Sequence, residues 1–535
     1  TACGPQKAIT GTTEGQPFVN GEPDGGNGKN YRIPSLITLD NGWLVAAADM
    51  RWQTTADSPQ NLDTIVSVSR DGGKTWSYEI VNYFDDQANS ATSQASASFI
   101  DPSMVQGPDG KLYMVVDACP SYTGLMGGNR MGNQSSGFDE QGRMLVALAS
   151  ENGDAPKEKS AYTHRVDLNA EPSRVTVQGT ELKLYPITTE SGEATGYWVD
   201  AELDLFLWDG KSDSVEKVMR EQLDSGEMVQ TNLFYRSSAW KAYPVFYIML
   251  RSAEITADGL VWSEPTFLNI KYTEKEPFTG VCPGRGLVTT VQGKQRIVFP
   301  LYDNATGNEY ASVIYSDNNG ATWTRGARVN NLASGGKTSE SQVVNLPDGG
   351  MRIFCRNLGG QITCADSYDG GATWGQAVAD NALNYTSNCM VSFINAAGYV
   401  KSPEGKVYGN LVLASYPAGN GRTDGVIRVG SLSAATGTVT WLNDAEVDFA
   451  GRYQYSCLTQ KGGDVLGLLF ESGTAGPGST ENGGAGGIYY KNLTITGMLG
   501  EGWSYLASYE GPVEGGHSGV TTDQPYIPDE TGASR

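Results

Sequence analysis

Histidine is almost missing: His164 and His517 are the only two in 535 residues. Imidazole chemistry, whether a Ser-His-Asp relay or a multi-histidine zinc site, therefore has little to build on. Basic residues are few beside acidic ones, 38 Lys+Arg against 60 Asp+Glu. The resulting charge of −22, with a pI near 4.6, argues against nucleic acid or an anionic membrane as the main partner. The seven cysteines (Cys3, Cys119, Cys282, Cys355, Cys364, Cys389 and Cys457) form no CxxC pair, which disfavours structural zinc, and are too sparse for a disulfide scaffold. Most lie in apolar runs such as Ile353-Phe354-Cys355 and read as buried thiols. No run of about 18 apolar residues occurs, so no membrane-spanning helix is expected.

What is present is core material and turns. Hydrophobic residues at 39% and aromatics at 10% suffice for a core and exclude disorder for most of the chain. The 68 glycines and 23 prolines follow no collagen period and imply many tight turns. At about 150 residues per domain the length suggests three or four domains, although large all-β folds often run as one.

Internal repeats carry the organisation. Segments Ser69–Trp76 and Ser367–Trp374 read Ser-x-Asp-x-Gly-x-Thr-Trp, and Ser316–Trp323 matches them with Asn318 in place of Asp. Weaker echoes run from Ser252 to Trp262 and from Ser431 to Trp441. From Ser252 onward the starts lie 51 to 64 residues apart, about the length of a four-stranded blade. Each box reads as a hairpin turn: Asp or Asn folds back on nearby N–H groups, glycine takes positive φ, and Thr-Trp resumes a strand with its indole inward. The alternation in Thr64-Ile65-Val66-Ser67-Val68 before the first box agrees. The boxes are expected to build the fold and not to bind ligand. Val215–Leu223 is the best short helical candidate. It lies in a more charged stretch, 150–235, read as an inserted β-rich subdomain. Residues 1–149 and 236–510 would form the main all-β domain, and 511–535 a tail or linker.

Tyr31-Arg32-Ile33-Pro34-Ser35 precedes the first box. This motif, together with the boxes, closely resembles bacterial sialidases (neuraminidases), exo-acting enzymes that release sialic acid. The resemblance runs from about residue 28 to about residue 500 and includes an insertion like that of the larger bacterial and leech enzymes. It implies a six-bladed β-propeller, secreted or on the cell surface, acting on sialylated glycans (glycoproteins, glycolipids and mucins), with no metal or organic cofactor.

The chemistry fits the residues. Sialic acid carries a carboxylate on its anomeric carbon, and guanidinium groups bind carboxylates through paired, charge-assisted hydrogen bonds. Arg32, Arg356 and Arg422 match the family's carboxylate-binding triad; Arg352 and Arg428 rival the second and third. A carboxylate nucleophile would meet like-charge repulsion at such a carbon, which a tyrosine hydroxyl avoids, and the family is the tyrosine exception among glycosidases. Tyr455, in Tyr453-Gln454-Tyr455-Ser456, matches that nucleophile, with Tyr453 the alternative on the same strand face. Glu340 matches the base. It lies on a strand that a Pro347-Asp348-Gly349-Gly350 turn would pair with the strand leading to Arg356.

Asp57, 25 residues after Arg32, agrees with the family's acid/base, although Ser58-Pro59 follows it where the family has an aromatic-Gly, and Asp63 is a rival. Arg51 resembles a further substrate-contacting arginine, and Glu471 the glutamate that orients the first triad arginine. The expected reaction is retaining hydrolysis by an exo-α-sialidase through a tyrosyl-sialyl intermediate. One alternative is an intramolecular trans-sialidase releasing anhydro-sialic acid, which relies on an aromatic wall; the loop from Ser472 to Gly487 has no aromatic. A propeller that binds glycans without cleaving them is the other.

Overall fold

A computed structural model describes residues 10–19, 30–85, 95–124, 136–222, 226–273, 275–276, 278–305, 308–330, 337–357, 360–384, 388–472 and 487–519. The described chain is nearly all β. One short α-helix, Ile495–Leu499, is capped by the Thr494 hydroxyl, which accepts from the Gly497 N–H. The expected helix at Val215–Leu223 is instead, over its described residues, two short strands, Glu216–Lys217 and Met219–Glu221, and Leu223 lies outside the described residues. Pairing with Phe206-Leu207 on one side and Met228–Gln230 on the other overrides a weak helical pattern.

Antiparallel sheets follow one another along the chain. The first sheet runs from Thr10–Glu14 through Thr75–Asn82, Leu62–Ser69 and Leu44–Arg51 to an innermost strand, Asn30–Thr38. Later sheets place Ser98–Gln106, Ser341–Asn345, Ser392–Ala396 and Phe449–Gly462 at corresponding positions. These inner strands are linked around a ring by side-chain hydrogen bonds. Thr38 Oγ1 meets Thr459 Oγ1 at 2.8 Å, Ser392 Oγ accepts from Leu458 N at 3.0 Å, and Asn395 Oδ1 accepts from Asn345 N at 2.7 Å. First and last sheets thus meet, and the inner edges cover one another. This arrangement is a β-propeller.

The boxes are turns whose polar groups are locally satisfied. Ser69 Oγ donates to Asp71 Oδ1 and accepts from Gly73 N, each at 2.8 Å, while Asp71 also accepts from Thr75 N at 2.9 Å and Thr75 Oγ1 at 2.6 Å. Gly73 sits at φ 98°, and a Cβ there would strike the Tyr490 ring at 2.4 Å, so glycine is required twice over. Trp76 is fully buried between the first and last sheets, edge-on to Tyr490 at 5.3 Å, in a cluster with Ala46, Cys457 and Leu469.

Two inner strands share one deformation. In Arg32-Ile33-Pro34-Ser35 and in Ile100-Asp101-Pro102-Ser103 the register shifts, and Ile33 and Asp101 take φ of 69° and 68°. Proline cannot donate to a ladder, and positive φ in non-glycine residues is strained, so each bulge re-aims side chains at one end of its strand.

The 150–235 stretch adds strands to a sheet that starts at Met144–Leu148 and is flanked by Trp240–Ala242. At the far end of the described chain, Glu514 N donates to Val407 O at 2.8 Å, seating residues 511–519 against the strand pair near Tyr408.

Candidate active site

The bulged ends of the inner strands converge. Tyr455 Oη donates to Glu340, with Oε1 at 2.7 Å and Oε2 at 2.8 Å. Arg356 Nη1 donates to both partners, to Glu340 Oε2 at 2.6 Å and to Tyr455 Oη at 3.0 Å. The hairpin explains this proximity: Ser341 pairs with Cys355, and Arg356 N donates to Glu340 O at 2.8 Å just beyond the strand ends. Arg356 Nε is fixed by Asn388 Oδ1 at 2.8 Å, and Arg422 Nη2 donates to Asn388 O at 3.2 Å. Arg422 sits at φ 62° at the tip of a hairpin, so its placement is also strained.

Arg32 is held by Glu471 in a two-point pair, Nε to Oε2 at 2.6 Å and Nη2 to Oε1 at 3.0 Å. Glu471 is fully buried and also accepts from Tyr455 N at 3.1 Å, so one carboxylate positions both the arginine and the strand bearing the tyrosine. The guanidinium carbons of Arg32 and Arg422 lie 5.0 and 5.5 Å from the Tyr455 ring centre. Arg32, Arg356 and Arg422 therefore surround one phenol.

Asp57 is a third exposed, its carboxylate 2.9 Å from Arg51 Nη1 and 3.9 Å from Arg32 Nη1. Arg51 is fully buried and anchored by Asp49 at 2.8 Å. Burial raises the Asp57 pKa, but Arg51, Arg32 and Arg422 together outweigh it and leave the group below its ordinary value. Tyr455 moves the other way: burial, then the Glu340 charge, pushes the phenol well up despite the three arginines, so it rests protonated.

The structure separates each rival from the cluster. Arg352 is paired with Asp366 at 2.6 and 2.9 Å, and Arg428 donates to the Asn443 and Ala382 carbonyls and lies over Trp441. Asp63 is fully buried, accepting from Trp52 Nε1 at 2.7 Å and Phe84 N at 2.8 Å. Tyr453 and Tyr455 do not share a face as expected. A register shift between Tyr453 and Ser456 turns Tyr453 into a core with Phe449 and Phe470, its hydroxyl bonded to Ser415.

Besides Asn388, sequence reasoning missed four groups. Asp49 anchors Arg51 from two residues away on the same strand face, a spacing that could have been read. Asp101 N donates to Asp49 Oδ1 at 2.9 Å, and its own carboxylate, 8% exposed, has no hydrogen-bond partner among the described residues. Burial, then Asp49 and Glu340, pushes its pKa well up. Its signal was the Asp101-Pro102-Ser103 echo of Ile33-Pro34-Ser35. Tyr302, 6% exposed, is raised by burial and then by Glu340 and Asp101, which places it at the same pocket. Arg452, whose pKa burial lowers, lies within electrostatic range of Arg32, Arg422 and Glu471.

A BNR repeat-like domain matches residues 229–465. Fold and site together define the class: a β-propeller that resembles the sialidases. Among curated relatives, the chain is 30% identical over 465 residues to the anhydrosialidase of Macrobdella decora, covering 82% of this chain and 58% of that protein. It is 28% identical to sialidase B of Streptococcus pneumoniae, covering 82% and 61%. The chain thus spans about three fifths of the length of these relatives. Among solved structures, it resembles the intramolecular trans-sialidase from Ruminococcus gnavus, with TM-score 0.69, 26% identity, and coverage of 88% of this chain and 96% of that one.

Proposed function

We propose that the chain is an exo-α-sialidase acting on sialylated glycans with retention of configuration. The carrying observation is the three-way contact of Tyr455, Glu340 and Arg356: a phenol, a base able to take its proton, and a cation able to stabilise the phenolate. In this reading Arg32, Arg356 and Arg422 hold the sialyl carboxylate. As the Tyr455 oxygen bonds to the anomeric carbon, its proton passes to Glu340. The bond to the leaving glycan breaks, and Asp57 protonates the departing oxygen. Water then attacks the same carbon, giving a proton to Asp57, as the bond to the Tyr455 oxygen breaks and Glu340 returns its proton to the phenolate.

A second reading is favoured by the relatives, since the M. decora protein is an anhydrosialidase and the R. gnavus structure is an intramolecular trans-sialidase. A hydroxyl of the bound sugar would then replace water in the second step. The expected wall for that route falls on residues 473–486, which lie outside the described residues. Glycan substrates, action outside the cell, and the division into a propeller (1–149 and 236–510), an insertion (150–235) and a tail (511–535) belong to the same proposal.

Tyr455→Phe tests the scheme. It should reduce turnover of an aryl sialoside by about 10³-fold or more, in line with the loss of a covalent nucleophile. Wild-type turnover by that variant would sink it. NMR of the released sugar, run on wild-type enzyme, separates free from anhydro product.

A further inference from the structure

A cavity of about 230 Å³ lies at the end of the inner strands away from the site. The strand polarity fixes its place. Arg32 is the third residue of one inner strand, Asn30–Thr38, and Ile37 lies five residues on, roughly 16 Å at ~3.3 Å per residue. Likewise Asp101 precedes Val105, Glu340 precedes Val343, and the cavity is lined by Ile37, Val105 and Val343. Leu287, Phe393 and Ile394 complete an apolar wall, and the exposed residues Asp40, Pro108 and Gln295 form a rim open to solvent.

One cation enters this wall. Arg285 Nη1 donates to Leu458 O at 3.2 Å and weakly to Thr459 Oγ1 at 3.5 Å, and among the described residues no carboxylate pairs with it. Its Nε and Nη2 make no hydrogen bond with any described residue. That differs from the arginines of the site, where Arg32 has Glu471, Arg51 has Asp49 and Arg356 has Glu340. Burial accordingly lowers the Arg285 pKa, with only Cys457 pulling back. Two polar side chains that line the cavity are already committed. Gln106 accepts from Asp40 N at 2.7 Å and donates to Gly110 O at 2.9 Å. The Asn395 amide exchanges both its bonds with the Asn345 backbone at 2.7 and 3.0 Å.

Arg285 is half-buried, so its uncommitted N–H groups remain open to solvent, and in these partly apolar surroundings an arriving anion gains a charge-assisted pair stronger than one in bulk water. The two uncommitted nitrogens, Nε and Nη2, form a fork that suits a planar carboxylate, and one cation balances one negative charge. We propose that this axial cavity binds a small organic monocarboxylate with an apolar body, held by Arg285, on the opposite end of the propeller from the catalytic pocket. A sugar carboxylate is disfavoured by the apolar wall, where the Gln106 and Asn395 side chains already have bonds within the protein.

Benzoate is the probe, with benzyl alcohol as the neutral control, measured by titration calorimetry on the full chain. Wild type and Arg356→Gln should bind one benzoate with the same affinity, because the catalytic arginines take no part. Arg285→Gln and the cavity-filling Leu287→Phe should each weaken binding at least tenfold, with sialoside turnover within twofold of wild type. Benzyl alcohol should not bind. Absence of one-site binding to wild type overturns the proposal, as does unchanged binding by Leu287→Phe or a loss confined to Arg356→Gln. If Arg285→Gln fails to fold, Leu287→Phe alone decides.

Discussion

Asp57 is the residue whose environment most conflicts with its proposed task. An acid must hold a proton, yet Arg51 at 2.9 Å, with Arg32 and Arg422, keeps this carboxylate ionised in the free site. A bound sialyl carboxylate would offset the arginine charge and restore the proton. The pH dependence of kcat/KM, which reports the free enzyme, should therefore fall as pH rises above the depressed Asp57 value. Arg51→Met removes the nearest cation, so that falling limb should move to higher pH. An unmoved limb would exclude Asp57 as the group responsible. Measured on kcat/KM, which stops at cleavage of the first bond, Asp57→Ala should spare aryl sialosides, whose leaving group needs little protonation, while slowing a natural sialyl linkage by about 10²–10⁴-fold, the usual worth of general acid catalysis. Equal losses on both substrates would exclude the acid role.

The residue scale also shows what a sequence makes legible. Arg32, Glu340, Arg356, Arg422, Tyr455 and Glu471 could be placed because each sits in a motif or a hairpin of readable register. Tyr453 against Tyr455 could not be resolved by strand period, because an unsignalled bulge breaks that period between them. Asp101 was unread because a buried carboxylate with no hydrogen-bond partner among the described residues leaves no local pattern except its proline. Asn388, which orients two arginines, carries no pattern at all.

At the level of the element, the boxes were the most legible feature, since the contacts that shape each turn lie within eight residues. They also contain a natural experiment. Asn318 occupies the Asp position of the second box, its Oδ1 accepting from Thr322 N at 2.9 Å while its Nδ2 donates to Thr322 Oγ1 at 2.7 Å. The Asp71→Asn variant should therefore fold with nearly unchanged Tm at pH 7, whereas Trp76→Ala, which empties a fully buried indole site, should cost about 3–5 kcal/mol. The acid response separates Asp from Asn. Asp71 is partly desolvated, but its bonds from Thr75, Ser69 and Lys74 hold its pKa down at about 2. A depressed carboxyl stabilises the fold fully above its unfolded pKa near ~4 and loses that contribution as pH falls toward about 2. Asp71→Asn should flatten the decline in Tm over that window. An unchanged slope would show that the box does not contribute to acid unfolding.

Across the whole molecule, the charge of −22 and the pocket are opposed in sign. Arg32, Arg51, Arg356 and Arg422 gather at one end of the propeller, but at low salt a sialylated mucin, the proposed kind of substrate, would meet the field of the entire chain. That field is screened beyond ~30 Å at 0.01 M salt and beyond ~10 Å at 0.1 M, so long-range repulsion fades while short contacts inside the pocket persist. Raising salt from 0.01 to 0.1 M should therefore increase kcat/KM on a densely sialylated mucin, by roughly two- to tenfold if the repulsion limits encounter. On a single sialyl trisaccharide, whose one charge enters the pocket directly, the same change should be less than about twofold. Steady-state rates on both substrates across that range check the argument. A mucin rate that falls with salt would mean that the arginine end, and not the acidic body, governs approach.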